Sequence, residues 1–315
     1  MYRRIAVPLD GTISSQQAIP WALTIAHAAD CPVDLIHVTL SSVTETHLYG
    51  VSLLNSNVDE VRKIAHRQLK SLADEITETG VPATPIVLEG GEIRETLITQ
   101  LRKSGTDLVV MATRDVGPVE RLMLGSVTAS VVRHVHSPVL VIRADDDRAV
   151  SPNAARAIRH MLVPLDGSAF GDAILPHVRR LASLLHSEVT LFAALQPVMT
   201  AAAMATDVGA PNVIAMRVGA HDDEPGAAQS AARRESLERA GEPLRASGLA
   251  VHTAVLVDDH PARAIVDYAN SHGADAIAMT THGRGALKRM VMGSVSLYVL
   301  RSSGLPMLIS RPDGV

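Results

Sequence analysis

Aromatic side chains are scarce in this chain of 315 residues, which has one Trp, four Tyr and two Phe. Modules that read single-stranded nucleic acid stack bases on aromatic rings, so that class of function has little support. The core must instead be built from Val, Ile, Leu, Ala and Met, which suits a parallel sheet covered by helices on both faces. Cysteine occurs once, at Cys31, and no internal disulfide can form. An excess of positive charge is also missing. Residues 1–148 carry 14 Lys/Arg against 18 Asp/Glu, and residues 149–315 carry 15 against 15, which argues against nucleic acid and anionic membranes as partners. No apolar run approaches the length of a membrane span, and the N-terminal MYRRIAVPLD leads into a strand with no signal-peptide core. The cytosol is the expected compartment.

Several catalytic and nucleotide signatures are absent too. No glycine is followed four residues later by Gly-Lys-Ser/Thr, no G-x-G-x-x-G occurs, and neither Gly125-Ser126 nor Gly293-Ser294 belongs to a Gly-x-Ser-x-Gly elbow. No Ser/His/Asp set presents itself, so no catalytic residue is assigned.

What is present is an alternation. Arg4 to Leu9 is a short apolar run, followed by Asp10-Gly11-Thr12 and a segment of helix formers from Ser15 to Ala29. Val33 to Val38 reads as a second strand and Val58 to Thr79 as a long helix. Pro85 to Leu88 is a third strand, Ile93 to Lys103 a helix, Asp107 to Met111 a fourth strand, Val127 to Val135 a helix and Pro138 to Ile142 a fifth strand. Strands alternating with helices imply right-handed crossovers and a parallel sheet.

The pattern then restarts. Val163-Pro-Leu-Asp-Gly-Ser168 repeats Val7-Pro-Leu-Asp-Gly-Thr12, and Pro176 falls where Pro20 did. Asp10 recurs as Asp166 and Gly125 as Gly293, so the second copy is longer by twelve residues. The gain falls between its second and third strands, at the Ala/Met/Pro/Gly/Asp-rich tract Gln196 to Gly226, long enough for a flexible loop or lid. The expected organisation is two α/β domains, 1–148 and 158–315, each an open five-stranded parallel sheet with helices on both faces. An exposed linker is expected from Ala144 to Arg159.

The stretch Thr280 to Ser296, TTHGRGALKRMVMGSVS, joins a buried strand to a helix start. Glycines at Gly283, Gly285 and Gly293 permit close backbone approach to a ligand, and free N–H groups at a helix N-terminus attract an anion such as phosphate. A glycine-rich turn without a ligand would have the same composition.

Two copies of a strand ending in Asp, each followed by a late Gly-Ser helix start, resemble the universal stress protein family in its tandem form, over nearly the whole chain. Nucleotide-binding members carry glycine, two residues, glycine, nine residues, then glycine and serine or threonine. Here those positions are Thr280, Gly283, Gly293 and Ser294 in the second copy and Ala112, Asp115, Gly125 and Ser126 in the first. The resemblance implies an adenine nucleotide, ATP with or without Mg²⁺, held mainly by the second copy, because Asp115 brings a negative charge to where a phosphate would approach. It implies that Asp166 hydrogen-bonds the adenosine part, with Pro164 and Leu165 beside it and Ala194 against the adenine. Phosphate contacts fall to Gly283, Gly293 and Ser294, with Thr280, His282, Arg284, Val295 and Ser296 as further cofactor-binding positions. Asp10, Val38, Gly125 and Ser126 form the weaker first-copy set. Asp10 and Asp166 are equally suited to be turn or N-cap residues before the first helix of each copy.

Other candidates carry less. His134 and His136 form His-x-His with no carboxylate or cysteine cluster nearby, so no metal ligand is assigned. His260 reads as an exposed loop group, and Arg284 and Lys288 are as suited to be solvated cations as to steer phosphate. The resemblance further implies pairing of the two domains within the chain, with Pro138 to Ile142 and Pro306 to Ile309 as the contacts, and allows a homodimer and a regulatory protein partner. Nucleotide binding would then serve as a stress-response sensor or switch. A nucleotide-free interaction protein and a slow ATP hydrolase are the alternatives.

Overall fold

The structure is a computed structural model and describes residues 1–40, 45–48, 51–54, 58–114, 124–144, 149–197, 224–281 and 292–311. In the first half the chain runs β1 (Ile5–Pro8), α1 (Ile13–Gln16), α2 (Ile19–Ala29), β2 (Val33–Leu40), β3 (Glu45–Leu48), β4 (Val51–Leu54), α3 (Val58–Glu78), β5 (Ala83–Gly90), α4 (Ile93–Lys103), β6 (Leu108–Arg114), α5 (Ser126–His134) and β7 (Val139–Ala144). The second half runs β8 (His160–Pro164), α6 (Ala169–Asp172), α7 (Leu175–Leu185), β9 (Glu188–Leu195), α8 (Glu224–Arg245), β10 (Val251–Val257), α9 (Pro261–Ser271), β11 (Ala276–Thr280), α10 (Ser294–Ser302) and β12 (Met307–Ser310). The antiparallel hairpin of β3 and β4 is an addition to the elements expected from sequence.

The same local devices build both copies. Thr12 and Ser168 cap the short helices α1 and α6 with their side chains. Pro20 and Pro176 sit in the first turns of α2 and α7, where a missing N–H costs nothing. Those helices end at Asp30 (φ 49°) and His186 (φ 55°), two non-glycine residues in the left-handed region at matching positions.

Each half holds the five parallel strands expected, and the two sheets are continuous, in the order β10-β9-β8-β11-β12-β7-β6-β1-β2-β5. Among the described residues of this sheet the single antiparallel step is β12 against β7, with Met307 opposite Val141, Leu308 opposite Leu140 and Ile309 opposite Val139. Leu140 and Leu308 occupy matching positions in the two copies, so a pseudo-twofold axis passes between them. One apolar cluster, including Leu35, Leu140, Leu191 and Leu308, lines one face of the sheet, and a second, including Ile36, Val141, Phe192 and Ile309, lines the other. Burial on both faces explains why the central strands read as continuous apolar runs.

The linker differs from expectation. Ile158 is buried in the core, the Arg156 guanidinium lies 5.4 Å from the centroid of the Trp21 ring, and the Thr24 hydroxyl donates to the Arg156 carbonyl. The apolar Ile158 needs cover from water, and the adjoining α2 supplies the surface that holds this part of the joint down.

Candidate functional site

In each half the first strand has the second strand on one side and the fourth on the other, so the strand order reverses there. In the second half this places a crevice between the carboxyl ends of β8 and β11, the position where open α/β sheets bind ligands. Pro164 ends β8, Leu165 follows with its N–H bonded to the Phe192 carbonyl, and Asp166 comes next, half-exposed. Its Oδ1 accepts from the Ser168 amide at 3.0 Å and the Ser168 hydroxyl at 2.6 Å, while Ser168 Oγ accepts from the Gly171 amide. Asp166 therefore organises the turn into α6, just past the carboxyl end of β8. Ala194, partly buried, lies one residue before the end of neighbouring β9.

Gly171 is a residue that the sequence did not single out. A Cβ there would lie 2.6 Å from Asp166 Oδ1, so glycine brings the helix start close to the carboxylate as it stands, where the first copy has Ser15 at the matching place. Asp172 was also passed over. Burial raises its pKa, and the nearby negative charge of Asp166 adds to the shift. Neither signal is visible in one sequence, because both depend on the α6 turn folding back onto Asp166.

On the other side of the crevice, Thr280 ends β11 and is 6% exposed. The amide of Thr281 donates to the Ser310 carbonyl on β12, and the Thr281 carbonyl accepts from the Gly293 amide at 2.7 Å. Gly293 is the N-cap of α10, with extended backbone and no side chain capping it. The first N–H groups of a helix have no intrahelical partners and carry the positive end of its dipole, so this end is suited to an anion. Ser294 and Val295 in that first turn are exposed. Ser296 is buried, and its hydroxyl donates to the Thr280 carbonyl at 3.0 Å, tying the helix start to the strand end. This set fits a phosphate-bearing ligand: a helix N-terminus with no side-chain cap at the end of β11, and at the end of neighbouring β8 one carboxylate fixed by its own turn. His282, Gly283, Arg284 and Lys288 lie outside the described residues.

The first copy has the same frame. Asp10 Oδ1 accepts from the Thr12 amide and hydroxyl at 3.0 and 2.6 Å, and Gly125 is the N-cap of α5, with no side-chain cap. Ser126 is the first residue of α5, and Val38 lies in β2, partly buried against the core cluster that contains Ile36. Beside Val38 stands the buried His37, whose Nδ1 lies 2.9 Å from the Leu9 carbonyl, and burial lowers its pKa. The second copy has Ala193 at the matching place. Asp115 lies outside the described residues, as do residues 198–223 of the long second-copy tract.

His134 and His260 have structural surroundings. The His134 ring contacts the Ser130 carbonyl, and His260 is the N-cap residue of α9, with its amide bonded to Asp258 Oδ1. No group of three or more potential metal ligands occurs among the described residues. Among them, no helix is long and apolar enough to cross a membrane.

Comparison with known proteins comes down on the side of the resemblance. The model of the universal stress protein family matches twice, at residues 1–143 and 157–311. A universal stress protein of Mycolicibacterium smegmatis is 26% identical over 315 residues, covering 98% of this chain and 97% of its own. One from Mycobacterium tuberculosis is 27% identical over 314 residues, covering 98% and 96%. Among solved structures, a universal stress protein from Archaeoglobus fulgidus superposes with a TM-score of 0.65 at 19% identity, covering 98% of this chain and 96% of its own.

Proposed function

Because the chain belongs to the universal stress protein family, we propose that it binds an adenine nucleotide, ATP with Mg²⁺, mainly in its second domain and acts as a sensor or switch in the cytosol. The proposed domains are 1–148 and 158–315. The observation that carries the reading is the reversal of strand order between β8 and β11, with Asp166 just past the end of β8 and the N-cap Gly293 of α10 bonded to Thr281 just past the end of β11. Asp166 is suited to the ribose hydroxyls, Ala194 to the adenine face, and the amides from Gly293 onward to phosphate oxygens. His282, Gly283 and Arg284 would complete the phosphate side. ATP would supply charge and shape to be read, and this chain's residues would bind and orient it. The Mg²⁺ ligand is not assigned to a residue.

The first domain is the weaker binder in this reading, because Asp115 replaces glycine in its loop. That replacement, with Thr280 for the first glycine of the second loop, also favours the second reading, a nucleotide-free interaction protein. Isothermal titration of the full chain with ATP and Mg²⁺, together with mass spectrometry of small molecules that co-purify, separates the two. Binding at one site per chain, lost in Gly293→Asp, supports the proposal, whereas no heat and no co-purified adenine nucleotide defeats it. A turnover assay on the same samples tests the slow-hydrolase alternative.

A further inference from the structure

The two helices whose N-termini form the candidate phosphate sites are each held at the opposite end by the other domain. Arg143, near the end of β7, donates from Nη1 to the carbonyl of Arg301 in the last turn of α10. Arg311, just past β12, donates from Nη1 to the carbonyl of Arg133 in the last turn of α5 at 2.6 Å. The contacts are reciprocal. Arg143 and Arg311 occupy matching places in the two copies, as do Arg133 and Arg301, and the axis between Leu140 and Leu308 exchanges them. The last carbonyls of a helix lack intrahelical partners and carry its negative end, so an arginine there both satisfies an acceptor and stabilises the helix.

The arrangement gives the first domain a task in the second domain's site. Helix α10 is short, 9 residues. Its N-terminus is fixed by the Gly293 amide on Thr281 and the Ser296 hydroxyl on Thr280, and its C-terminus by Arg143 from across the seam. A short helix pinned at both ends has little freedom to tilt, so the direction of its open amides depends on the contact with the first domain. We propose that Arg143 is a positioning residue for the nucleotide site of the second domain, and that the first domain, poor as a binder, serves to complete that site. The inference rests on the nucleotide reading above. By linkage, whatever the seam contributes to nucleotide affinity, the nucleotide returns to the seam as the same factor.

The test measures ATP affinity by calorimetry with Mg²⁺ in the full chain for wild type, Arg143→Met and Arg143→Lys. Amide hydrogen exchange at Val139–Ile142 and Met307–Ser310 is measured with and without ATP. The Met variant is expected to bind ATP about 5-fold more weakly or worse. The Lys variant, which retains a cationic donor for the helix end, is expected to recover most of that loss, and ATP is expected to slow exchange at the wild-type seam. Wild-type affinity in Arg143→Met, equal loss in the Met and Lys variants, or seam exchange indifferent to bound ATP overturns the inference while leaving the nucleotide site standing. A wild-type chain that binds no ATP overturns both.

Discussion

Leu308 lies directly opposite Leu140 in the antiparallel step that joins the two halves of the sheet, and both side chains are fully buried. The pair sits on the pseudo-twofold axis, so each copy presents the same residue to the other. Such an isologous contact is self-complementary, and it removes an apolar strand edge from each half. Truncation should therefore weaken the joined sheet at its centre. Leu308→Ala is expected to cost about 2–5 kcal/mol of unfolding free energy in urea titration. The double variant with Leu140→Ala should cost less than the sum of the singles, because the two residues share one cavity.

Asp166 and its first-copy counterpart Asp10 make the same turn but should differ in binding. Asp166→Ala is expected to weaken ATP roughly tenfold, the worth of one charge-assisted hydrogen bond, and Asp10→Ala to leave affinity unchanged. Calorimetry on both variants checks this. Equal effects would remove the assignment of binding to the second domain.

Gly171 offers a subtler probe of the same carboxylate. An added Cβ would stand 2.6 Å from Asp166 Oδ1, so the carboxylate or the start of α6 must shift. Gly171→Ala is expected to keep the secondary structure seen by circular dichroism and to lower ATP affinity by roughly the same tenfold. Unaltered affinity would show that the position of Asp166 does not matter to the ligand.

The two copies also solve one polar problem differently. Arg4 pairs with the buried Asp34 at 2.9 Å in the first copy, where the second has His160 Nε2 2.8 Å from Thr190 Oγ1. The Arg4 side chain is 41% exposed and that of Asp34 1%. Arg4→Met strands a buried carboxylate and should cost about 3–5 kcal/mol, whereas Asp34→Ala leaves a cation that reaches water and should cost about 1 kcal/mol. Denaturant unfolding of the two variants reads the asymmetry directly, and equal costs would contradict it.

His37 sets an acid limit on the first domain. Burial lowers its pKa, so the folded protein keeps the ring neutral where the unfolded chain takes up a proton. Above the ordinary histidine range both states are neutral and pH has no leverage. As pH falls below that range the unfolded state binds more protons, and stability declines until the folded pKa is passed. Thermal unfolding from pH 7 to pH 5 should show this decline in wild type and a flatter profile in His37→Asn. Parallel profiles would assign the acid sensitivity to another group.

The sequence by itself determined the alternation of strands and helices, the duplication, and the frame of the site. Apolar runs four to eight residues long, Pro20 and Pro176 in helix first turns and Asp-Gly-Thr/Ser after the first strands are local signals, and each is a matter of near neighbours in the chain. The places of Asp166 after a strand and of Gly293-Ser294 at a helix start were legible for the same reason. Tertiary structure decided the rest. Nothing in the periodicity of Val139 to Ile142 tells an edge strand from a central one, because both are apolar on two faces; the family resemblance pointed to these strands as the contact, and only the meeting of β7 with β12 gave the antiparallel register and the single ten-stranded sheet. The contact of Gly171 with Asp166, the hydroxyl of Ser296 spent on Thr280, the burial of Ile158 and the arginines that close α5 and α10 all join residues from separate elements. Their partners are chosen by how those elements pack, which spacing along one chain does not encode.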